Sequence, residues 1–330
     1  MTGRYQELIE AADMNALLGA VDALCGERAW EELLDLAERC EHALERGKQL
    51  WPIAAHIDYR VALEAPAEYA ADVLDAVSHR FMLGPLTEVA ASTHTWDELA
   101  PHIESPQHAA YIAQERVMRG EDLQHDERAH PEDLGIPLKL QAWEPSYALA
   151  TYRSDHVEIA EPWEPKRRFE KVSASAGPTA DDPELVAALL DLVQPWTAES
   201  NGAARAVAVE GNAAAAVSAL APTSIRMCPV ELDLALQRMA WAAASGGAHG
   251  RRRGAALGRF MSWYVVSLAA GTSWPVEPDE LAAAGSGLGF YVWDEGEVEK
   301  GWVLRVAVEH PADGWSAAIA ATDLLEEDED

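Results

Sequence analysis

The sequence has little positive charge. Lys and Arg together number 25, against 56 Asp and Glu residues, which gives a formal net charge of −31. A chain with this charge repels polyanions and anionic lipid surfaces at long range, so the composition disfavours nucleic acid as a partner. The same charge attracts basic proteins, although solubility alone also accounts for an acidic composition.

Cysteine is also scarce. The three cysteines, Cys25, Cys40 and Cys228, are odd in number and form no C-x-x-C motif, which argues against a disulfide scaffold and a structural zinc site. The N-terminus lacks the apolar core of a signal peptide, and no run approaches the roughly 18 to 20 apolar residues of a membrane-spanning helix. We therefore expect a cytoplasmic protein that does not associate with membranes.

The common catalytic and cofactor motifs are missing as well. The sequence contains no G-x-x-x-x-G-K-[ST], no G-x-G-x-x-G and no G-x-S-x-G. Histidines cluster within residues 79–130, but none of their spacings is that of two metal ligands on one helix face. We expect no catalytic residue, no metal and no cofactor, and we interpret these histidines as surface or capping residues.

The patterns that are present predict an α+β fold. Residues 1–125 read as a domain of stacked helices, because segments such as Trp30–Leu44 place apolar residues on one helical face. Thr95-Trp96-Asp97-Glu98 has the form of a capping box. The echo of Trp30-Glu31-Glu32-Leu33 in Trp96-Asp97-Glu98-Leu99 suggests a repeated helical hairpin.

Residues 126–180 contain many prolines, which break any long helix, and we interpret this stretch as a connector. The same prolines are also compatible with a single continuous body. Residues 181–325 are predicted to form a mixed α/β domain. It ends in a three-stranded antiparallel meander formed by Phe290–Trp293, Trp302–Glu309 and Trp315–Ala321. Residues 326–330 read as a disordered acidic tail.

The connector holds a small basic patch. Lys166, Arg167, Arg168 and Lys171 alternate there with the acidic residues Glu161, Glu164 and Glu170. This interleaving predicts local salt bridges. We also expect short strands in this region at 136–143 and at 148–152.

The densest basic cluster lies in the glycine-rich stretch Gly246–Arg259. Backbone amides and guanidinium groups before a helix can surround a phosphate or a carboxylate, so this stretch is a candidate anion site. Its candidate residues are Arg251, Arg252, Arg253, Arg259 and His249. The alternative, which we favour, is that these arginines pair with the acidic N-terminal half and hold the two parts together.

Three segments carry a resemblance to a known group of proteins. They are Gly47–Pro52 (GKQLWP), Tyr59–Pro66 (YRVALEAP) and Gly84–Trp96 (GPLTEVAASTHTW). These segments resemble parts of uncharacterised proteins from actinobacteria, and the similarity covers the N-terminal region, about residues 20–125. The resemblance implies a bacterial cytoplasmic protein, and it implies no activity and no functional residues.

These observations favour a protein that is not an enzyme. We expect an acidic scaffold that binds a basic protein partner. The alternative is an enzyme or binding protein for an anionic small molecule at Arg251–Arg253 and Arg259.

Overall fold

The computed structural model describes residues 5–75, 83–161, 168–221, 225–296 and 300–324. The chain forms two compact units. The first, here called the helical unit, comprises Met1–Glu121, Asp126–His130 and Ala150–Glu158; the second, the mixed unit, comprises Asp122–His125, Pro131–Leu149 and Ile159–Asp330. The stretch that we interpret as a connector is thus divided between the two units.

Short helices dominate the helical unit. They are α1 (Gln6–Ala11), α2 (Met14–Glu27), α3 (Trp30–His42), α4 (Trp51–Glu64), α5 (Ala67–Asp72), α6 (Leu86–Thr93), α7 (Trp96–Leu99) and α8 (Pro106–Met118). Helix α4 lies at the centre, where it packs against α2, α3, α5 and α6. Ten of the eleven α4 residues from Ile53 to Leu63 are buried, all except His56, which matches this central position.

Local sequence signals account for where several of these helices begin. Thr95 and Glu98 form the predicted capping box at the start of α7. The side chain of Ser105 caps α8 by accepting a hydrogen bond from the backbone N–H of His108. The predicted hairpin repeat is not reproduced, because Trp30 begins a helix of 13 residues whereas Trp96 begins one of four.

A two-stranded hairpin of β1 (Ala150–Tyr152) and β2 (Val157–Ile159) follows. Strand β1 lies against α6, and the Tyr152 hydroxyl donates a hydrogen bond of 2.7 Å to the buried carboxylate of Glu88. The strand predicted at 148–152 is therefore present in shorter form. The strand predicted at 136–143 is wrong, since that segment consists of turns and irregular backbone.

The mixed unit is built on a six-stranded antiparallel sheet. Its strands are β3 (Glu170–Val172), β4 (Ala203–Glu210), β5 (Ile225–Val230), β6 (Gly289–Asp294), β7 (Trp302–His310) and β8 (Trp315–Asp323), in the spatial order β3-β5-β6-β7-β8-β4. Strands β6, β7 and β8 pair consecutively, which confirms the predicted antiparallel meander. Together with the helical unit, this sheet confirms the α+β fold class.

Helices cover the sheet. They are α9 (Pro183–Asp191), α10 (Gln194–Ala198), α11 (Ala213–Leu220), α12 (Leu232–Ala244), α13 (Ala255–Ala269) and α14 (Pro278–Gly285). The alanine-rich α11 packs on one sheet face in a core that includes Ile225, Met227 and Trp293. Alternate strand residues point to the other face, where α12 contacts β6 and β7. Helix α13 packs against both α12 and α9. The predicted acidic tail, 326–330, lies outside the described residues.

One carboxyl group in the helical unit makes stability depend on pH. Asp58 on α4 is only 5% exposed, and burial, with a smaller contribution from Glu41, raises its pKa to about 7. Because the folded-state pKa exceeds the ordinary value of 3.8, the protonated form favours folding. The corresponding stability is complete below pH 3.8 and is lost as the pH rises through about 7.

We therefore expect Asp58→Asn to become more stable than the parent chain as the pH increases. The difference should grow by roughly 1.4 kcal/mol per pH unit until the folded-state pKa is reached. Urea unfolding at a series of pH values measures it. The exposed Asp97→Asn serves as the matched control and should show no such trend. A constant difference between Asp58→Asn and the parent chain would contradict the argument.

Candidate functional site

The most buried cation of the predicted anion site is Arg259 on α13. Its side chain and that of Glu144 are both 0% exposed, and they form a bidentate ion pair. Arg259 donates from Nε to Glu144 Oε2 over 2.8 Å and from Nη2 to Glu144 Oε1 over 2.7 Å. The carbonyl oxygens of Pro137 and Lys139 accept its remaining bonds. A fixed planar fork such as this matches a carboxylate well.

Glu144 receives further hydrogen bonds at both oxygens. The Trp263 indole N–H and the Tyr147 hydroxyl donate to Oε2 over 2.9 and 2.7 Å, and the Gln141 amide donates to Oε1 over 2.9 Å. Burial acts to raise the pKa of Glu144, but the bonds and charge of Arg259 outweigh it and hold that pKa below its ordinary value. The pair is therefore ionised, and both of its side chains are fully buried.

The glycine-rich loop before α13 also surrounds a carboxylate, that of Asp323. Asp323, at the end of β8, is 1% exposed, and its Oδ2 accepts the backbone N–H of Ala248 over 2.6 Å. Its Oδ1 accepts the hydroxyl of Ser200, which in turn accepts the backbone N–H of His249. Gly247 has φ +73°, and a Cβ built there would lie 2.1 Å from Asp323 Oδ2. Only glycine allows the loop to approach this carboxylate so closely.

Arg251 and Arg253 also contact groups of the mixed unit. Arg251 forms a bidentate pair with Glu199, which lowers the pKa of that carboxyl group. Arg253 donates to the carbonyls of Ala243 and Asp191, near the C-terminal ends of α12 and α9, where helix dipoles favour a cation. Arg252 is half-buried and His249 is exposed.

These contacts correct one expectation from the sequence. The prediction that the arginines pair with the acidic N-terminal half is wrong for Arg251, whose carboxylate is Glu199. Arg259 does pair with an acid of residues 1–145, but Glu144 lies in the predicted connector and belongs to the mixed unit, so this pair joins no helical domain to it. The physical reason is proximity. The loop before α13 lies beside α10 and β8, so Glu199 and Asp323 accept hydrogen bonds from its backbone. Sequence reasoning missed Glu144, Glu199 and Asp323 altogether.

A polar cleft of about 590 Å³ lies in the helical unit. Its lining residues are Arg28, Trp30, Glu64, Ala65, Pro66, Ala67, Glu68, His94, Glu98 and His102. The backbone N–H and hydroxyl of Thr95 lower the pKa of Glu98, so this carboxylate is ionised at neutral pH. Glu64 is held by the buried guanidinium of Arg60, which also binds Asp22.

His94 shapes one wall of this cleft. Its Nε2 lies 2.8 Å from the carbonyl oxygen of Ala65, and its Nδ1 lies 3.0 Å from that of Ala90. These carbonyls belong to the C-terminal ends of α4 and α6. The ring therefore joins two helix ends, which agrees with the capping interpretation of the histidines. His79, another of the clustered histidines, lies outside the described residues.

The described residues offer little for metal or thiol chemistry. Within them, no group of three or more His, Cys, Asp or Glu side chains is arranged to hold a metal ion. All three cysteines are buried and free, and burial raises the pKa of Cys25 and of Cys40 to about 11. These two thiols are therefore protonated and poorly nucleophilic at neutral pH. None of the described helices combines the length and hydrophobicity needed to cross a bilayer.

Comparison with known proteins gives one match. A family model matches residues 15–324, which takes in most of both units and extends well beyond the N-terminal segments that carry the actinobacterial resemblance. The chain belongs to the family of unknown function DUF6183. No curated protein and no solved structure matches it. The family therefore supplies no ligand, reaction or partner, and the geometry has to carry the functional argument.

We expect the Arg259–Glu144 pair to dominate the energetics of the arginine-rich stretch. Arg259→Met leaves Glu144 buried without its counter-charge, which should lower the free energy of unfolding by about 3–5 kcal/mol. Arg251→Ala removes a partly exposed pair and should cost at most about 1 kcal/mol. Chemical unfolding of both variants measures the difference.

A double-mutant cycle completes this test. Adding Glu144→Gln to Arg259→Met removes the stranded charge, so the double variant should be more stable than the sum of the two single changes implies. Additive costs, or equal costs for Arg251→Ala and Arg259→Met, would show that the buried pair has no special role.

Proposed function

We propose that this chain is a non-enzymatic cytoplasmic scaffold that binds a basic segment of a partner protein, and that the segment docks in the cleft of the helical unit. The observation that carries the proposal is the chemistry of the cleft lining. Three glutamates, Glu64, Glu68 and Glu98, line it, and the one Lys or Arg lining it among the described residues is Arg28. A guanidinium or ammonium group fits such a lining.

Aromatic side chains add to the fit for a cation. Trp30 lines the cleft, and Tyr69 follows the lining residue Glu68 on α5. Desolvation, and then the charges of Glu31, Glu68 and Asp72, raise the pKa of Tyr69. A basic side chain beside these rings gains cation–π contact in addition to carboxylate pairing.

The composition of the chain supports the same class of partner. Its net charge of −31 speeds the approach of a basic protein and slows that of a polyanion. The alternative is an anionic small molecule at Arg251–Arg253 and Arg259. It requires Arg251, Arg253 and Arg259 to leave the carboxylates and carbonyls that they contact. We therefore place it second.

The proposal predicts site-specific binding of a short fluorescently labelled oligoarginine peptide. Replacing two exposed glutamates that line the cleft, Glu68→Gln with Glu98→Gln, should weaken binding about tenfold or more, which corresponds to about 1.4 kcal/mol. Fluorescence anisotropy at low ionic strength measures the dissociation constant, and added salt should weaken binding by the parent chain.

The control is Glu7→Gln with Glu45→Gln, which makes the same change in net charge at exposed positions away from the cleft. It should leave the dissociation constant within about twofold of the parent value, because only screened long-range attraction is altered. If both pairs of substitutions weaken binding equally, the peptide responds only to the net charge of the chain and not to the cleft. If the parent chain does not bind the peptide, the proposal is wrong.

A further inference from the structure

A second cavity lies in the mixed unit, at the edge strand β3. It has a volume of about 550 Å³ and is lined by Arg168, Phe169, Glu170, Lys171 and Arg226. Three of these five residues are cationic, in a chain with a net charge of −31. This edge cavity is distinct from the arginine-rich stretch before α13 and from the cleft of the helical unit.

The sheet register places two of these cations side by side. Lys171 on β3 is the direct partner of Arg226 on β5. Residues directly opposite each other on antiparallel strands point to the same face, and like charges in that position destabilise the pair. Glu170 and Val172 alternate to the other face, where Val172 packs against the core beneath α11.

Among the described residues, Asp294 pairs with one of these cations, and Glu170 also lines the cavity. Arg226 forms a bidentate pair with Asp294 on β6, with N–O distances of 2.6 and 2.8 Å. The same guanidinium lies 5.9 Å from the ring centroid of Phe169. Arg226 is thereby held in a fixed position, with Asp294 on its β6 side and Lys171 on its β3 side.

The local salt bridges expected from the sequence do not neutralise the rest of the row. Within the described ranges, no carboxylate forms a salt bridge with Arg168 or Lys171, and Lys166, Arg167 and Glu164 lie outside those ranges. Two exposed cations therefore line a cavity whose third cation is already fixed. An anion that contacts Arg168 and Lys171 would offset the repulsion between Lys171 and Arg226, while Arg226 keeps its pair with Asp294.

We propose that the edge cavity binds a small phosphorylated molecule through Arg168 and Lys171, beside the fixed guanidinium of Arg226. A phosphoryl group carries close to two charges and three acceptor oxygens, so one group reaches several cations at once. The cavity volume falls in the range of small-molecule sites, roughly 300–1,000 Å³. The negative charge of the whole chain opposes a long polyanion, which favours a small ligand over nucleic acid.

The test is a calorimetric titration of the full chain with inorganic pyrophosphate at constant ionic strength. The parent chain should bind it, and Lys171→Gln should weaken binding about tenfold or more. Arg153→Gln makes the same charge change at an exposed position in the helical unit and should bind like the parent. Arg168→Gln provides a second variant at the cavity and should also bind more weakly.

Thermal unfolding without pyrophosphate shows whether a variant that binds weakly is still folded. Lys171→Gln removes a like-charge contact, so its unfolding temperature should equal or exceed that of the parent chain. Pyrophosphate should then raise the unfolding temperature of the parent chain but not that of Lys171→Gln. No binding by the parent, unchanged binding by Lys171→Gln, or equal weakening by Arg153→Gln would each overturn the proposal.

Discussion

The mixed unit depends on the burial of one guanidinium group. Placing a charge in a dry interior costs several kcal/mol unless a counter-charge and hydrogen-bond partners surround it. The fold meets this requirement at Arg259 with both oxygens of Glu144 and two backbone carbonyls. Segment 137–144 contains no helix or strand, and this charge helps to fix it in place, together with the Lys139–Asp122 ion pair and the packing of Trp143 on Trp263.

The same principle organises the whole glycine-rich stretch. Asp323 fills the loop, Glu199 meets Arg251, and helix-end carbonyls receive Arg253. The stretch has the features of an anion site, and its anions are the protein's own carboxylates. The positive charge of Arg251, Arg253 and Arg259 is thus used within the fold. The cations of β3 and β5 differ, because Lys171 has an exposed side chain at the edge cavity.

Much of the fold could be predicted from local patterns in the sequence. The capping box at Thr95, the Ser105 cap of α8 and the alternating strands of the meander all depend on neighbouring residues, and the structure contains them. The partner of Arg259 could not be read in the same way, because Glu144 lies 115 positions earlier among prolines that suggest a connector. The sequence held one indication, since Glu144 is the only acidic residue in the segment Leu138–Tyr147. Likewise, register alone brings Lys171 to Arg226, and no local pattern reveals it.

Arg259 is held in a fully buried, ionised pair with Glu144, whereas Arg251 pairs with Glu199 at the surface and is open to solvent. Exchange of the Nε–H protons, followed by nuclear magnetic resonance, tests this within one molecule. The account predicts that the Arg259 Nε–H, bonded to Glu144 in a fully buried site, exchanges orders of magnitude more slowly than that of Arg251. Equal and rapid exchange of the two protons would contradict it.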